Sequence, residues 1–273
     1  QANFNLNQRD IMRNLAIKTV LVFLLSFTTQ AGVVVLNGLT HTSSGNSGDI
    51  IEGEIVLLNT TDQEQRLIFK LSDALYSCGS TRIFSDSLTH TQSSKSWFLG
   101  SLMDKVLIPK EKYVYKYALK IPKDHTVTGT FWSVLMIEVQ KPIKKERLTQ
   151  QIDLDTKVRY AIGLITHVNQ KSEVNLDFKN VQLQENEDHK NSLQVNLFNS
   201  SDYVEGVRLN LEVYNEDGDQ ILKTKTKRLM VFPNMCIDYD LDISRLKTGS
   251  YQCLLTADAR KEYVGTNISL NIK

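Results

Sequence analysis

Cysteine is scarce in this chain and odd in number: Cys78, Cys236 and Cys253 are the only three. Such a set builds no disulfide framework, and its spacing fits no zinc site. The sequence also lacks a Gly-x-Ser-x-Gly elbow, a His-Glu-x-x-His pair and a phosphate-binding glycine loop. His41, His90, His125, His167 and His189 are scattered, none with another His or a Cys at ligand spacing, so they read as surface or loop residues. Cys78 has no identifiable base in sequence, and a buried or incidental thiol is the better account of it. Asp238 and Asp240 share one strand face, as many solvated carboxylates do, and no partner acid can be named. An enzyme is therefore not expected, nor is a metal or cofactor.

Long hydrophobic runs and a net charge of one sign are missing too. The one apolar stretch near the start, Thr19–Phe27, is about half the roughly 20 residues a membrane span needs. It follows a basic opening, Met12-Arg13-Asn14-Leu15-Ala16-Ile17-Lys18, and precedes Thr28-Thr29-Gln30-Ala31, which ends in a small residue. This is the three-part layout of a secretory signal peptide, and cleavage after Ala31 is expected; an uncleaved anchor is the alternative. No later segment is apolar enough to span a bilayer, so the mature chain is expected to carry no transmembrane segment. The full chain has 32 Lys and Arg against 31 Asp and Glu. Removal of residues 1–31 takes away Arg9, Arg13, Lys18 and Asp10, which leaves a formal charge near zero. Nucleic-acid binding through a global basic field is excluded on that basis.

What is present is β pattern. Thr128–Val139 is a long aromatic and β-branched run opened by Gly129, and neither of its faces is clearly polar. That suits a strand central in its sheet. In Lys112–Ile121, Tyr113, Tyr115, Tyr117, Leu119 and Ile121 share one face, and Lys112, Lys116 and Lys120 share the other. Val33–Leu39, Ile50–Leu58 and Arg66–Leu71 are further strands, and Thr42–Gly48 reads as a turn or loop. Lys157–Ile165 is assigned as the last strand of this unit, with the opening strand of the second unit as the alternative. Beyond it, Val174–Leu183, Leu193–Phe198, Gly206–Tyr214, Gln220–Val231, Met235–Ile243, Tyr251–Ala257 and Tyr263–Ile272 make seven more, with Val207, Leu209, Leu211 and Val213 in strict alternation. Short strands between polar turns, without a helical period, predict an all-β protein of two tandem immunoglobulin-like antiparallel sandwiches. The expected divisions are residues 1–31, upstream residues and signal peptide; 32–170, the first sandwich; and 171–273, the second.

Export would permit a Cys236–Cys253 bridge. However, Ile237, Tyr239, Leu241 and Ile243 alternate as one face, which puts Cys236 on the opposite one. Cys253 alternates with Tyr251 and Leu255 and reads as core. Gly249-Ser250-Tyr251-Gln252-Cys253 resembles the tyrosine-corner region of immunoglobulin domains, without the upstream Cys that usually completes the inter-sheet disulfide.

Binding features are more numerous than catalytic ones. Trp97-Phe98 and Trp132 would serve as an aromatic platform for a sugar, or else fill the core of the first sandwich, which is the preferred reading. Lys141, Lys144, Lys145 and Arg147 form a basic loop that would meet an anionic ligand or remain plainly solvated. Val158, Tyr160, Ile162 and Leu164 lie along a candidate partner-binding edge, preceded by the long segment 140–155. Lys223, Lys225 and Lys227 alternate with threonines, as an edge strand guarded against unwanted pairing would.

A family resemblance rests on short motifs in order. The first half has Ser94-Lys95-Ser96-Trp97, Leu107-Ile108-Pro109-Lys110-Glu111, Ile121-Pro122 and Gly129-Thr130-Phe131-Trp132-Ser133-Val134-Leu135. The second has Phe232-Pro233-Asn234-Met235 followed by Leu246-Lys247-Thr248-Gly249-Ser250-Tyr251. With these the chain resembles the two-domain WxL-interacting proteins of bacterial surfaces. Its first domain is also similar to the N-terminal domain of periplasmic pilus chaperones. The first resemblance implies a peptidoglycan-binding module joined to a host-binding module, and hence a surface or periplasmic protein partner, peptidoglycan, or both. The second implies strand donation to an incomplete subunit, although Val33–Leu39 lacks the Arg those chaperones use to hold a client carboxylate. The resemblance also implies a C-terminal membrane anchor with a basic tail. The sequence stops at Asn271-Ile272-Lys273 without them, and a free secreted or periplasmic protein is expected. Of the two functions, adhesion or scaffolding ranks first and assembly chaperone second.

Overall fold

The structure, a computed structural model, describes residues 32–273 apart from 77–81, 125, 141–156, 170–172, 186–190, 261 and 273. The expected signal peptide, the basic loop with Lys141, Lys144, Lys145 and Arg147, and Cys78, His125 and His189 lie outside the described residues.

Residues 33–168 build one sandwich, antiparallel except along one edge. Its strands are β1 (Val33–Val35), β2 (Thr40–Gly45), β3 (Ile50–Asn59), β4 (Gln65–Leu75), β5 (Ile83–Ser85), β6 (Phe98–Gly100), β7 (Lys105–Leu107), β8 (Lys112–Lys120), β9 (Gly129–Gln140) and β10 (Val158–Val168). One sheet has the order β1-β3-β8-β6; the other runs β2-β10-β9-β4-β5, with β7 also on β4. The central position expected for the Trp132 strand is what the pairing shows, because β9 is bonded to β4 on one side and β10 on the other. Leu135, Ile137 and Val139 point into the core with Leu67, Phe69, Tyr115 and Leu119.

The N-terminal strand differs from the sequence expectation. Val33–Leu39 is not one strand: Val33–Val35 pairs with β3, then the chain crosses to the other sheet and Thr40–Gly45 pairs in parallel with β10. Gly38 sits at φ +90°, and the Asn37 side chain bonds both the carbonyl of Glu54 and the N–H of Val56. The amide thus stands in for the missing strand beside β3. Part of the Thr42–Gly48 segment, read as a loop, is therefore strand; its Ser and Thr content satisfies β10 through the backbone, which side-chain pattern does not report.

The second sandwich contains β11 (Leu176–Glu185), β12 (Asn191–Asn199), β13 (Glu205–Tyr214), β14 (Gln220–Lys225), β15 (Leu229–Val231), β16 (Met235–Asp242), β17 (Gly249–Ala259) and β18 (Glu262–Ile272). The sheet orders are β11-β12-β16 and β14-β13-β17-β18, with β15 also on β13. The expected single strand Gln220–Val231 is two, both paired to β13. Val207, Leu209, Leu211 and Val213 are fully buried against Leu193, Val195 and Leu197, as their alternation requires. Tyr251 Oη donates to the carbonyl of Lys247 at 2.8 Å, the hydrogen bond of a tyrosine corner. Cys253 is a free, buried thiol, whereas Cys236 is disulfide-bonded, so these two do not pair with each other. Burial pushes the Cys253 thiol up to about 11, which keeps it protonated and inert at neutral pH.

Both sandwiches turn the same corner. Asn59 ends β3 and Asn199 ends β12, and each is wholly buried. Asn59 Nδ2 donates to the carbonyls of Gln63 (2.8 Å) and Ile108 (2.9 Å), while its Oδ1 accepts from the Thr61 N–H (3.0 Å) and hydroxyl (2.7 Å). Asn199 Nδ2 donates to Tyr203 (2.8 Å) and Val231 (2.9 Å), and its Oδ1 accepts from the Ser201 N–H (2.9 Å) and hydroxyl (2.6 Å). Two donors and two acceptor positions are used in each case, which is the full capacity of a carboxamide. A proline turn follows each corner. Ile108-Pro109-Lys110-Glu111 has Lys110 at φ 62°, and Phe232-Pro233-Asn234-Met235 has Asn234 at φ 55°. In both, the fourth residue's N–H bonds the first residue's carbonyl at 3.2 Å.

Candidate functional site

The second corner is where the two sandwiches meet. Its loop, Asn199–Val204, and its proline turn sit against the end of the first sandwich where β9 begins and β10 finishes. Thr130 N donates to the carbonyl of Asp202 at 2.8 Å, and Val204 N donates back to Thr130 Oγ1 at 2.9 Å. Gln92 Nε2 spans the junction, donating to Thr130 O (3.0 Å) and Asp202 O (3.1 Å). Tyr203, fully buried, donates its hydroxyl to Val168 O at 2.7 Å. Gly129 lies at φ +112°, and a Cβ there would meet Asp202 O at 2.6 Å. Only glycine permits that approach.

Apolar contacts complete the junction. Trp132, Val134, Ile165 and Ala74 from the first sandwich pack with Val204 and Phe232 from the second. The Phe232 ring lies 4.6 Å from Tyr76 and 4.7 Å from Trp132, and the Trp132 indole donates to Ala74 O at 2.9 Å. This explains why neither face of β9 reads as polar: one row fills the sandwich core, and the opposite row is covered by the second sandwich.

Trp97 and Trp132 therefore do not form a joint aromatic platform. Trp97 packs on Phe131 inside the first sandwich (4.5 Å), Phe98 stacks on Tyr117, and Trp132 projects from the opposite face of the sheet into the junction. Core filling holds for Trp97; Trp132 belongs to the interface between domains. Sequence reasoning missed that role, together with Thr130, Asp202, Tyr203 and Phe232. The available signal was the repeat of Asn59-Thr60-Thr61-Asp62 as Asn199-Ser200-Ser201-Asp202.

A polar cluster lies behind Trp132. Asp73 is fully buried; Ser93 Oγ donates to its Oδ1 at 2.7 Å, His90 Nε2 stands 3.5 Å from the same oxygen, and Lys95 Nζ is 3.9 Å from Oδ2. The His90 ring stacks on Trp132 with centroids 4.0 Å apart. Burial lowers the His90 pKa, opposed by the charge of Asp73 and assisted by that of Lys95. Ser, His and Asp are thus neighbours, yet the hydroxyl is committed to the carboxylate and not to the imidazole. A nucleophile–base pair needs the reverse arrangement. Among the described residues no three His, Cys, Asp or Glu side chains gather as metal ligands would.

The candidate edge is divided by the structure. All of β10 pairs with β9, but β2 covers only Gly163–Val168. Val158, Tyr160 and Ile162 belong to the half without a described outer partner, and Leu164 to the covered half. Gly163 N donates to Leu39 O, so the alternate residues Arg159 and Ala161 turn their backbone groups toward the open side. Ile162 and Leu164 side chains are core, and Tyr160 Oη donates to Val33 O. Lys223, on edge strand β14, bonds Glu212 at 2.6 Å, and Asp238 accepts from Asn196 at 2.6 Å; both lie on outer sheet faces. Among the described residues no helix is long and apolar enough to cross a membrane.

The chain covers 88% of its length on a solved chaperone–tip adhesin complex of CFA/I fimbriae biogenesis, at 11% identity, 98% coverage of that chain and a TM-score of 0.48. The YadV chaperone gives 13% identity, 88% and 100% coverage and a TM-score of 0.45. The Salmonella enterica SafA pilin–SafB chaperone complex gives 11%, 90% and 98%, and 0.44. No curated protein sequence matches. One family model matches, described as "WxL Interacting Protein, host binding domain", over residues 149–273. The match opens ahead of β10, a strand bonded into the first sandwich, and so takes in more than the second. Over these residues, just under half of the chain, the protein is similar to the WxL-interacting protein family.

Proposed function

We propose that this is an exported, non-enzymatic bacterial surface or periplasmic protein that works by binding, an adhesion or scaffold module for a protein partner, the cell wall, or both. The observation that carries the reading is the match of residues 149–273 to a host-binding domain. The junction supports it physically: reciprocal backbone bonds and a buried aromatic contact hold the second sandwich at a set angle on the first, as a spacer presenting a binding domain would need. In this reading residues 32–170 form the wall-side or base module and 171–273 the partner-binding module. The basic loop with Lys141, Lys144, Lys145 and Arg147 is a candidate contact for an anionic polymer.

A second reading, an assembly chaperone acting by strand pairing, is favoured by the outer edge of β10 at residues 158–162, which no described strand covers. One experiment addresses both. The full-length protein is cross-linked in its native envelope, isolated, and compared with Arg159→Pro, which removes an outward N–H and leaves the β9 side intact. Wall glycan or a surface protein recovered equally with both forms supports adhesion. A client recovered with the parent and lost with the variant supports the chaperone. Recovery of neither sinks both.

A further inference from the structure

Cys236 is unusual on its strand. On β16, Tyr239 and Leu241 point into the core of the second sandwich, and Cys236 alternates instead with Asp238 and Asp240 on the outer face. Asp240 is exposed, as an outer face allows, yet Cys236 is only 6% exposed and does not belong to that core. Its neighbour Met235 packs against the junction cluster of Trp132, Phe232 and Tyr76, so β16 begins where the first sandwich is met.

The sulfur of Cys236 is bonded within this one chain. The sequence holds three cysteines, and Cys253 is a free thiol in the core of the second sandwich. Only Cys78 is left to pair with Cys236. Cys78 lies outside the described residues, but Tyr76, two residues before it, is described. Tyr76 stacks on Phe232 with ring centroids 4.6 Å apart, and Phe232 opens the proline turn that leads directly into Cys236. Two residues of chain reach at most about 7 Å, and the Cα atoms of a disulfide stand roughly 5.5–6 Å apart. Tyr76 is thus anchored at the right end of β16 for a bridge of that reach.

We infer that Cys78 and Cys236 form a disulfide across the junction, a covalent clamp between the two sandwiches. Cys78 belongs to the segment joining β4 to β5 of the first sandwich, and Cys236 to a strand of the second. The bond closes a loop running from β5 to β16, and long loops lose the most unfolded-state entropy when closed. Its formation takes one proton and one electron from each thiol. Both pass by exchange to an incoming disulfide, of an oxidase or a small molecule, which leaves as two thiols. A reducing cytosol keeps such thiols apart, so the clamp is made after export. The inference shares export with the binding readings above and is independent of the choice between adhesion and chaperone.

Non-reducing peptide mapping tests it on full-length protein taken from its native envelope, with free thiols blocked by iodoacetamide before digestion. The expected map contains one linked pair of peptides, holding Cys78 and Cys236, which separate on reduction with the gain of one hydrogen each. The protein should run as one chain on a non-reducing gel, and Cys253 should be blocked only after unfolding. A link between Cys253 and either other cysteine, a link between two chains, or three blockable thiols overturns the inference. Clamping is read separately, by calorimetry. The double variant Cys78→Ser, Cys236→Ala is expected to melt about 10 °C below the parent. A similar fall when the parent is melted in dithiothreitol keeps the test open should the variant fail to fold. A melting temperature unmoved in both measurements overturns the clamp.

Discussion

The corner at Asn59 and the corner at Asn199 are nearly the same object with opposite fates. Each has a buried carboxamide making four hydrogen bonds, an Asn-[Thr/Ser]-[Thr/Ser]-Asp sequence and a proline turn with a left-handed third residue. The second corner presents Tyr203, Val204 and Phe232 and is buried in the junction. The first presents Gln63, Glu64 and Ile108, with Ile108 58% exposed, and lies at the opposite end with a Lys110–Asp62 ion pair. The backbone makes the corner; three side chains decide whether it becomes an interface.

The largest test of that division is the carboxamide itself. Asn199→Ala would strand two backbone carbonyls and a Ser201 N–H in the protein interior, at a cost of about 3–4 kcal/mol. Asn59→Ala should cost a similar amount in urea unfolding. In a Trp97→Phe background, where Trp132 is the sole reporter, only Asn199→Ala is expected to change native-state fluorescence. A shift from Asn59→Ala would show that the corners are coupled.

Phe232→Ala should weaken the junction by about 3 kcal/mol, the usual range for a buried phenylalanine. Ile108→Ala, its counterpart, should stay within about 0.5 kcal/mol because solvent already covers it. Equal effects in paired melts would break the comparison. Gly129→Ala should cost about 1–2 kcal/mol through left-handed strain, before the clash with Asp202 is counted. Small-angle scattering would read it as separation of the sandwiches with both cores intact.

The smallest expected effect depends on pH. Burial holds the His90 pKa below its ordinary 6.5. The unfolded chain therefore binds the proton first, so the His90 contribution is whole above pH 6.5 and declines as pH falls from there toward the folded value. Since His90 stacks on Trp132, acidification should loosen the junction and leave the Asn59 corner unaltered. His90→Phe should remove this dependence of Trp132 fluorescence; a pH response that survives the change would assign it to another group.

Much of the fold was legible because strand burial writes itself as alternation. Val207, Leu209, Leu211 and Val213 show it on one face, and Tyr113, Tyr115, Tyr117 and Leu119 on another. The crossing at Asn37-Gly38 was not legible, since β2 is held through backbone bonds by a polar stretch without pattern. The Gln220–Val231 segment looked continuous because both of its halves are extended, and only their pairing to β13 separates them.

By itself, then, the sequence determined the β class, the sandwich cores and the central place of β9, all of which follow from local periodicity and apolar content. It also carried, in the two-sided apolar character of β9, the information that something covers its outer row. What covers it was decided only in three dimensions. Trp132 meets Phe232 across a hundred residues of chain, and whether Val158–Leu164 is an edge depends on how far β2 extends alongside. Alternation states that a face is buried, and only long-range packing states against what.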